Sequence, residues 1–326
     1  MAQQTTTHPY RAVRGDGLAF DLEMRDMLGD IKQMAVDFIA LADDVADEVH
    51  DRSLLRLLAA IPRCAGRVRR TADLDLAELR REVPVAWRDY FDAAADVWLD
   101  LVGELLVLAG EQAFSRYEHQ LCADYEAIAQ CLLDNLELSV GLPAGHSPQH
   151  GARLLLEGHN MNFMGFETMD RMVLDNVTGG AAHGLRGGVY REFRDICLLL
   201  QANGQRANAL ATWGAEIEEG CLANEIVLTA LAGPVGEQVS TALGRRGHAV
   251  SADNPELAAT LSEHIIALIE DSGVVQVCHR RWEEQRSATI ARLTADSRLT
   301  DLVDTDRLIA GHDTLLAMYL IYDGDV

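Results

Sequence analysis

Helical periodicity runs through this chain with few interruptions, and no stretch alternates apolar and polar residues as a half-buried strand would. The pattern predicts a helix or helix pair from about Leu18 to His50 and another over "SLLRLLAAIPRCAGRVRR", interrupted by Pro62. Short "LDLAELRREV" follows and ends before Pro84. Longer amphipathic runs cover Ala86–Ala109, about Gln112–Leu138 and about Gly151–Asn176. Helix is then expected in "VYREFRDICLLLQ", in "RANALATWGAEIEEG" and in "NEIVLTALAG". Beyond "SADNP" it covers Glu256–Asp271, Val274–Thr294 and about Asp306–Tyr319. The strongest internal break is "NVTGGAAHGLRGG" (Asn176–Gly188). It lacks the GKS or GKT ending and the preceding strand of a phosphate-cradling loop, so it reads as a connector between helices. A chain of 326 residues with roughly ten or more helices fits an all-α class and one helical domain over residues 18–326. Residues 1–17 have no apolar signal core and read as a disordered leader on a cytoplasmic protein.

Charge narrows the partners. The formal net charge is −23, so clustered phosphate binding to nucleic acid is not expected, nor is an anionic membrane surface. No apolar run reaches membrane-spanning length, since "VWLDLVGELLVLAG" is broken by Asp100 and Glu104. An anionic small molecule needs metal ions or a few placed arginines to be held, because Lys32 is the only lysine. The six cysteines form no C-x-x-C pair and read as buried free thiols.

Two helix faces carry oxygen ligands. "FIALADDVADEVHD" supplies Asp43, Asp44, Asp47, Glu48 and Asp51 at the end of an apolar run. Asp43, Asp47 and Asp51 are spaced to share one helix face, where like charges repel by a few tenths of a kcal/mol. A solvated acidic face explains this, and so does a divalent-cation site, for which magnesium is the best fit because it bridges carboxylates to substrate phosphates. In "RANALATWGAEIEEG", Asn208, Thr212 and Glu216 step round the helix by about 40° each and form one ridge of amide, hydroxyl and carboxylate oxygens. Such a match arises by chance in on the order of one chain in ten. The two faces together carry more than either alone.

The combination resembles the class I terpene synthases of bacterial type. That family pairs an aspartate-rich D-D-x-x-D motif with a later N/D-D-x-x-S/T-x-x-x-E motif. "DDVAD" supplies Asp43, Asp44 and Asp47, and "NALATWGAE" supplies Asn208, Thr212 and Glu216, with Ala209 where an aspartate is usual. The resemblance implies a single helical bundle around a central cavity, with both motifs facing it and holding three magnesium ions on the substrate diphosphate. It implies Phe38 as a cavity aromatic and places Asn160, Met161 and Phe163 as pocket candidates. The family's diphosphate-sensing arginine falls on Glu157, with Arg153 and Arg171 nearby. Its C-terminal Arg-Tyr pair falls on Ile321 and Tyr322. Arg153, Arg171, Arg206 and Tyr322 are therefore the diphosphate-binding candidates. The chain also resembles the atypical actinobacterial diterpene cyclases, such as those making eunicellane skeletons.

The activity so implied is magnesium-dependent cyclisation of a linear prenyl diphosphate, with geranylgeranyl diphosphate favoured over farnesyl diphosphate. Dimerisation is common in the resembled family. Two other readings compete. A prenyl-chain elongating synthase would need a second D-D-x-x-D and basic groups for isopentenyl diphosphate, which this chain lacks. A non-catalytic helical binding protein would leave both acidic faces solvated. Trp213 turns about 100° from the ridge and reads as packing. His159, His183 and His279 have no metal-ligand spacing and read as structural or exposed.

Overall fold

The computed structural model describes residues 14–15, 18–19, 22–65, 75–139, 147–148, 151, 163–177, 179, 187–220, 222–295, 297–300, 305–306, 308–310 and 313. Helix dominates, as expected for an all-α chain. A two-residue antiparallel pair, β1 (Arg14–Gly15) with β2 (Leu18–Ala19), precedes α1 (Leu22–Asp44). Then come α2 (Arg52–Ala65), α3 (Leu76–Glu82), α4 (Arg88–Ser139) and α5 (Phe163–Val177). The rest is α6 (Gly187–Glu219), α7 (Glu225–Ala232), α8 (Gly236–Ser251), α9 (Pro255–Asp271), α10 (Val274–Ala295) and α11 (Ser297–Thr300). Among the described residues no helix is long and apolar enough to cross a membrane. The five described cysteines are free and buried.

One domain is expected from the sequence; the chain's internal contacts divide it into two compact units. The first comprises Met1–Leu133, His159–Gln201 and Ala288–Thr314, and the second Asp134–Gly158, Ala202–Ser287 and Leu315–Val326.

Three details of the first unit depart from the expected pattern or explain it. The break expected between Ala109 and Gln112 lies at Gly110, with φ 72° and ψ 154° inside α4. A residue with a Cβ is strained at that φ, and a Cβ there would stand 3.0 Å from Asn176 Oδ1. The Asn176 amide donates to the Leu108 carbonyl at 3.1 Å, a carbonyl at the point where the helical ladder is interrupted. Pro62 does not interrupt α2, which continues to Ala65; the Pro62 carbonyl accepts from the Cys122 thiol at 3.4 Å. Asp51 does not share a face with Asp43 and Asp47. A π-helical turn at Val45–Val49 ends α1, and His50 turns left-handed at φ 56°. Asp51 Oδ1 then accepts from the Ser53 and Leu54 amides at 2.9 and 3.0 Å, so its carboxylate caps α2.

The first unit buries charge as well as apolar surface. Lys32 is 0% exposed, and its ammonium donates to Asp170 Oδ1 at 2.6 Å. It also stands 5.6 Å from the Phe166 ring centroid. Glu167 bridges Arg171 (2.8 Å) and Arg194 (3.0 Å), and Arg194 also pairs with Asp124. Thr168 donates to Asp124 at 2.6 Å and Gln120 to its other oxygen at 2.9 Å. Four helices are thereby tied together: α1, α4, α5 and α6.

The second unit is built around Ile217, Ile226, Val227, Val239, Ile265 and Ile269, all fully buried. Trp213 packs against this core. The helix α8 is not marked by the sequence periodicity. Its glycines Gly236, Gly244 and Gly247 weaken helix propensity. It forms because Val239, Ala242 and Ala249 bury against neighbours, Ala249 beside Ala258 and Leu261 of α9.

Burial pushes the Asp170 carboxyl up to about 7, against the opposing pull of Lys32. A raised folded-state value means that its stability contribution is full below the ordinary carboxylate range and is lost as pH rises toward 7. Lys32→Met removes that pull and raises the carboxyl further, so the loss is largest, about 3–5 kcal/mol, above the new value, where Asp170 is left charged, and is less at acidic pH. The double change Lys32→Met with Asp170→Leu is expected to recover most of this loss and flatten the pH dependence. Urea denaturation of the three proteins across pH reads both effects.

Candidate functional site

The acidic residues of the first unit sit where α1 passes into the π turn. Val45 (0% exposed) and Ala46 (3%) face the core, whereas Asp43 and Asp44 are exposed. The wider π turn lets two adjacent residues bury while the preceding aspartates face solvent. The end of α1 is tied to α4, since the Tyr90 hydroxyl donates to the Leu41 carbonyl at 2.6 Å. Asp47 lies within the π turn, and its side chain is outside the described residues. Five residues before Asp43, Phe38 is buried against Trp98 and Tyr125, with ring centroids 5.1 and 6.0 Å away. Trp98 and Tyr125 also meet edge to face at 4.8 Å, so the three rings form one dry aromatic group.

The second unit holds the ridge. Asn208, Thr212 and Glu216 lie on α6, all half-buried. The Thr212 hydroxyl stands 2.9 Å from the Asn208 carbonyl and 2.5 Å from Glu216 Oε1. It has one proton, so it donates to one of them at a time and keeps oxygen lone pairs for another ligand. The expected rhythm is thus realised as contact between hydroxyl and carboxylate.

Three interactions hold this helix. Asn224, 1% exposed, caps α7 by accepting from the Ile226 amide at 2.8 Å, and its Nδ2 donates to the Ala209 carbonyl at 3.1 Å. Gly220 ends the helix at φ 91°, its amide donating to the Glu216 and Ile217 carbonyls. Arg246 fits against Gly220 and donates to the Glu218 carbonyl and, at 2.7 Å, to Ser262.

Two of the arginine candidates, Arg206 and Arg171, are already engaged. Arg206 donates to Glu225 at 3.2 Å and to Gln285. Arg171 pairs with Glu167 and lies over the Tyr190 and Tyr117 rings at 4.8 and 5.7 Å. Arg153, Asn160, Met161 and Tyr322, with Glu157 and Ile321, lie outside the described residues, as does the side chain of Phe163 at the start of α5. His159 and His183 also lie outside them, while His279 is exposed beside Glu283 at 3.7 Å.

Each unit by itself carries oxygen donors of the kind a hard divalent cation accepts: the exposed Asp43 and Asp44 carboxylates in the first, and amide, hydroxyl and carboxylate oxygens on α6 in the second. Among the described residues no group of three or more His, Cys, Asp or Glu side chains is placed to hold a metal. The fit therefore rests on the chemistry of the ridge, two of whose three ligands are neutral.

Sequence reasoning missed the buried charges around Asp170 and Glu167. One signal was present. Lys32 lies four residues after Leu28 and three before Ala35, both buried, which puts it on the apolar stripe of α1.

Burial raises the Glu225 carboxyl above its ordinary value, and Arg206 pulls it back down. Arg206→Met removes that pull and raises it further. The loss of stability is then largest above the new value, about 3 kcal/mol, and fades as pH falls and Glu225 protonates. Thermal unfolding at pH 5 and pH 8 measures the difference. No protein-family model, curated protein or solved structure matches this chain.

Proposed function

We propose that this chain is a magnesium-dependent class I terpene cyclase, which ionises a linear prenyl diphosphate, geranylgeranyl diphosphate by preference, and converts the carbocation to a cyclic hydrocarbon or alcohol. The observation that carries the reading is the Thr212–Glu216 contact at 2.5 Å on a half-buried helix face, with Asn208 one turn before it. Asn208, Thr212 and Glu216, with Asp43, Asp44 and Asp47, are the residues that would hold the magnesium ions. Bound magnesium supplies charge neutralisation for the departing diphosphate.

The chain's own part is positioning and protection. Holding Thr212 and Glu216 in place before any ligand arrives removes a reorganisation cost. Neutral ligands at two of three ridge positions keep the negative charge of that face low, which suits an anionic substrate. Phe38, Trp98 and Tyr125 provide ring faces in a dry setting, of the kind that stabilises a cation with no hydrogen bonds to make. The leaving diphosphate serves as proton acceptor in this scheme.

The ion pairs of Arg171 and Arg206 favour a second reading, a non-catalytic helical binding protein, because neither guanidinium is held open for a diphosphate. One experiment separates the two. The protein is incubated with C10 to C20 prenyl diphosphates, with and without magnesium, and the products are analysed by gas chromatography. A cyclic product that needs magnesium, with turnover falling about a hundredfold or more in Asp43→Ala and Glu216→Ala, supports the cyclase. No magnesium-dependent consumption of any of these diphosphates, or full turnover in both variants, sinks it. A longer prenyl diphosphate formed with isopentenyl diphosphate indicates chain elongation instead.

A further inference from the structure

We infer that Gln205 belongs to the α6 ridge as a positioning residue, its carboxamide oxygen accepting a hydrogen bond from the water shell of a divalent cation held there. Gln205 lies inside α6, three residues before Asn208. Round the helix it stands about 20° from Thr212 and about 20° from Glu216, on opposite sides, and about 60° from Asn208. It therefore continues the same polar face by one turn. Its neighbour Arg206 turns about 100° away and ends on Glu225 and Gln285, so that cation is occupied elsewhere.

Burial without a partner singles Gln205 out. The residue is 7% exposed, and among the described residues its Oε1 is buried with no hydrogen bond. Taking an amide oxygen out of water without replacing its bonds is unfavourable, and folded chains pair nearly all such groups. At Gln205 the helix gives up stability on the face that already carries an amide, a hydroxyl and a carboxylate.

The chemistry of the unpaired atom selects its ligand. A carboxamide oxygen only accepts, so its partner must donate. A fully ionised diphosphate has no proton to give, so Oε1 does not read the anion. The water shell of a hard cation does donate, and the ion's charge strengthens that donation. Magnesium is octahedral, dehydrates reluctantly and keeps several waters, so three ridge oxygens leave part of its shell as water. An acceptor beyond the direct ligands fixes how that water sits. The inference rests on the divalent-cation reading of the ridge and not on the cyclisation reaction.

Manganese titration of the full chain, followed by electron paramagnetic resonance, tests this, since manganese takes the same oxygen ligands. Glu216→Ala defines the part of the binding that belongs to the ridge. That part is expected to weaken about tenfold or more in Gln205→Met and to be kept in Gln205→Glu, which retains an acceptor. Without metal, Gln205→Met is expected to melt about 2 °C above the wild type, because an unpaired buried acceptor is gone. Unchanged ridge affinity in Gln205→Met overturns the inference, and so does a lower metal-free melting temperature, the mark of a glutamine paired within the fold or to a resident water. Absence of any Glu216-dependent manganese binding overturns it too. Prenyl diphosphate turnover is read separately. The expected metal results without turnover sink the cyclase and leave the role of Gln205, whereas turnover with unchanged ridge affinity in Gln205→Met does the reverse.

Discussion

Charge taken out of water is the constraint on which the first unit depends. Lys32, Asp170, Glu167 and Asp124 are all at least nine-tenths buried, and each finds an opposite charge on a different helix or one turn away. Such pairs add little net stability, because desolvation offsets most of the attraction. Their effect is on alternatives. A helix that slid or rotated by one residue would leave a bare charge in the core, which costs far more than a misplaced methyl group. The bridging of Glu167 to Arg171 and Arg194, and of Arg194 to Asp124, therefore sets the registration of α4, α5 and α6 more sharply than apolar packing would.

The second unit uses a different device. Its ridge helix is fixed by polar side chains that finish backbone hydrogen bonds: Asn224 on the Ala209 carbonyl and Arg246 on the Glu218 carbonyl. The ion pair of Arg206 with Glu225 adds one charged tie to α7. On the ridge itself the Thr212 hydroxyl reaches the Asn208 carbonyl and the Glu216 carboxylate.

Much of the helical layout was legible. The halves of α4 were separated where Gly110 stands, because Gly followed by a new amphipathic run marks a break. The bounds of α9 and α10 agree with the sequence pattern to within a residue or so, with α9 beginning at the proline of "SADNP". What failed did so for physical reasons. A constant 3.6-residue step puts Asp51 on the Asp43 face; the π turn breaks that step, and no local residue signals it. The glycines of α8 hide it from local propensity, and it forms because tertiary burial outweighs them. The Lys32–Asp170 pair joins positions 138 apart, a distance at which periodicity carries no information. The ridge rhythm is legible in the sequence, the Thr212–Glu216 contact is not, and no spacing signals that Glu225 engages Arg206.

The cap at Gly220 bears on motion. Glu216 is in the final turn of α6, and final turns ordinarily open and close many times each microsecond. Gly220 closes that turn with two backbone hydrogen bonds, and Arg246 covers it from α8. A side chain at the frayed end of a helix samples many positions, so a ligand that needs one of them pays in affinity for the rest. Locking the turn spares that loss and makes the orientation of the Glu216 carboxylate depend on a glycine and an arginine placed outside the helix that carries it.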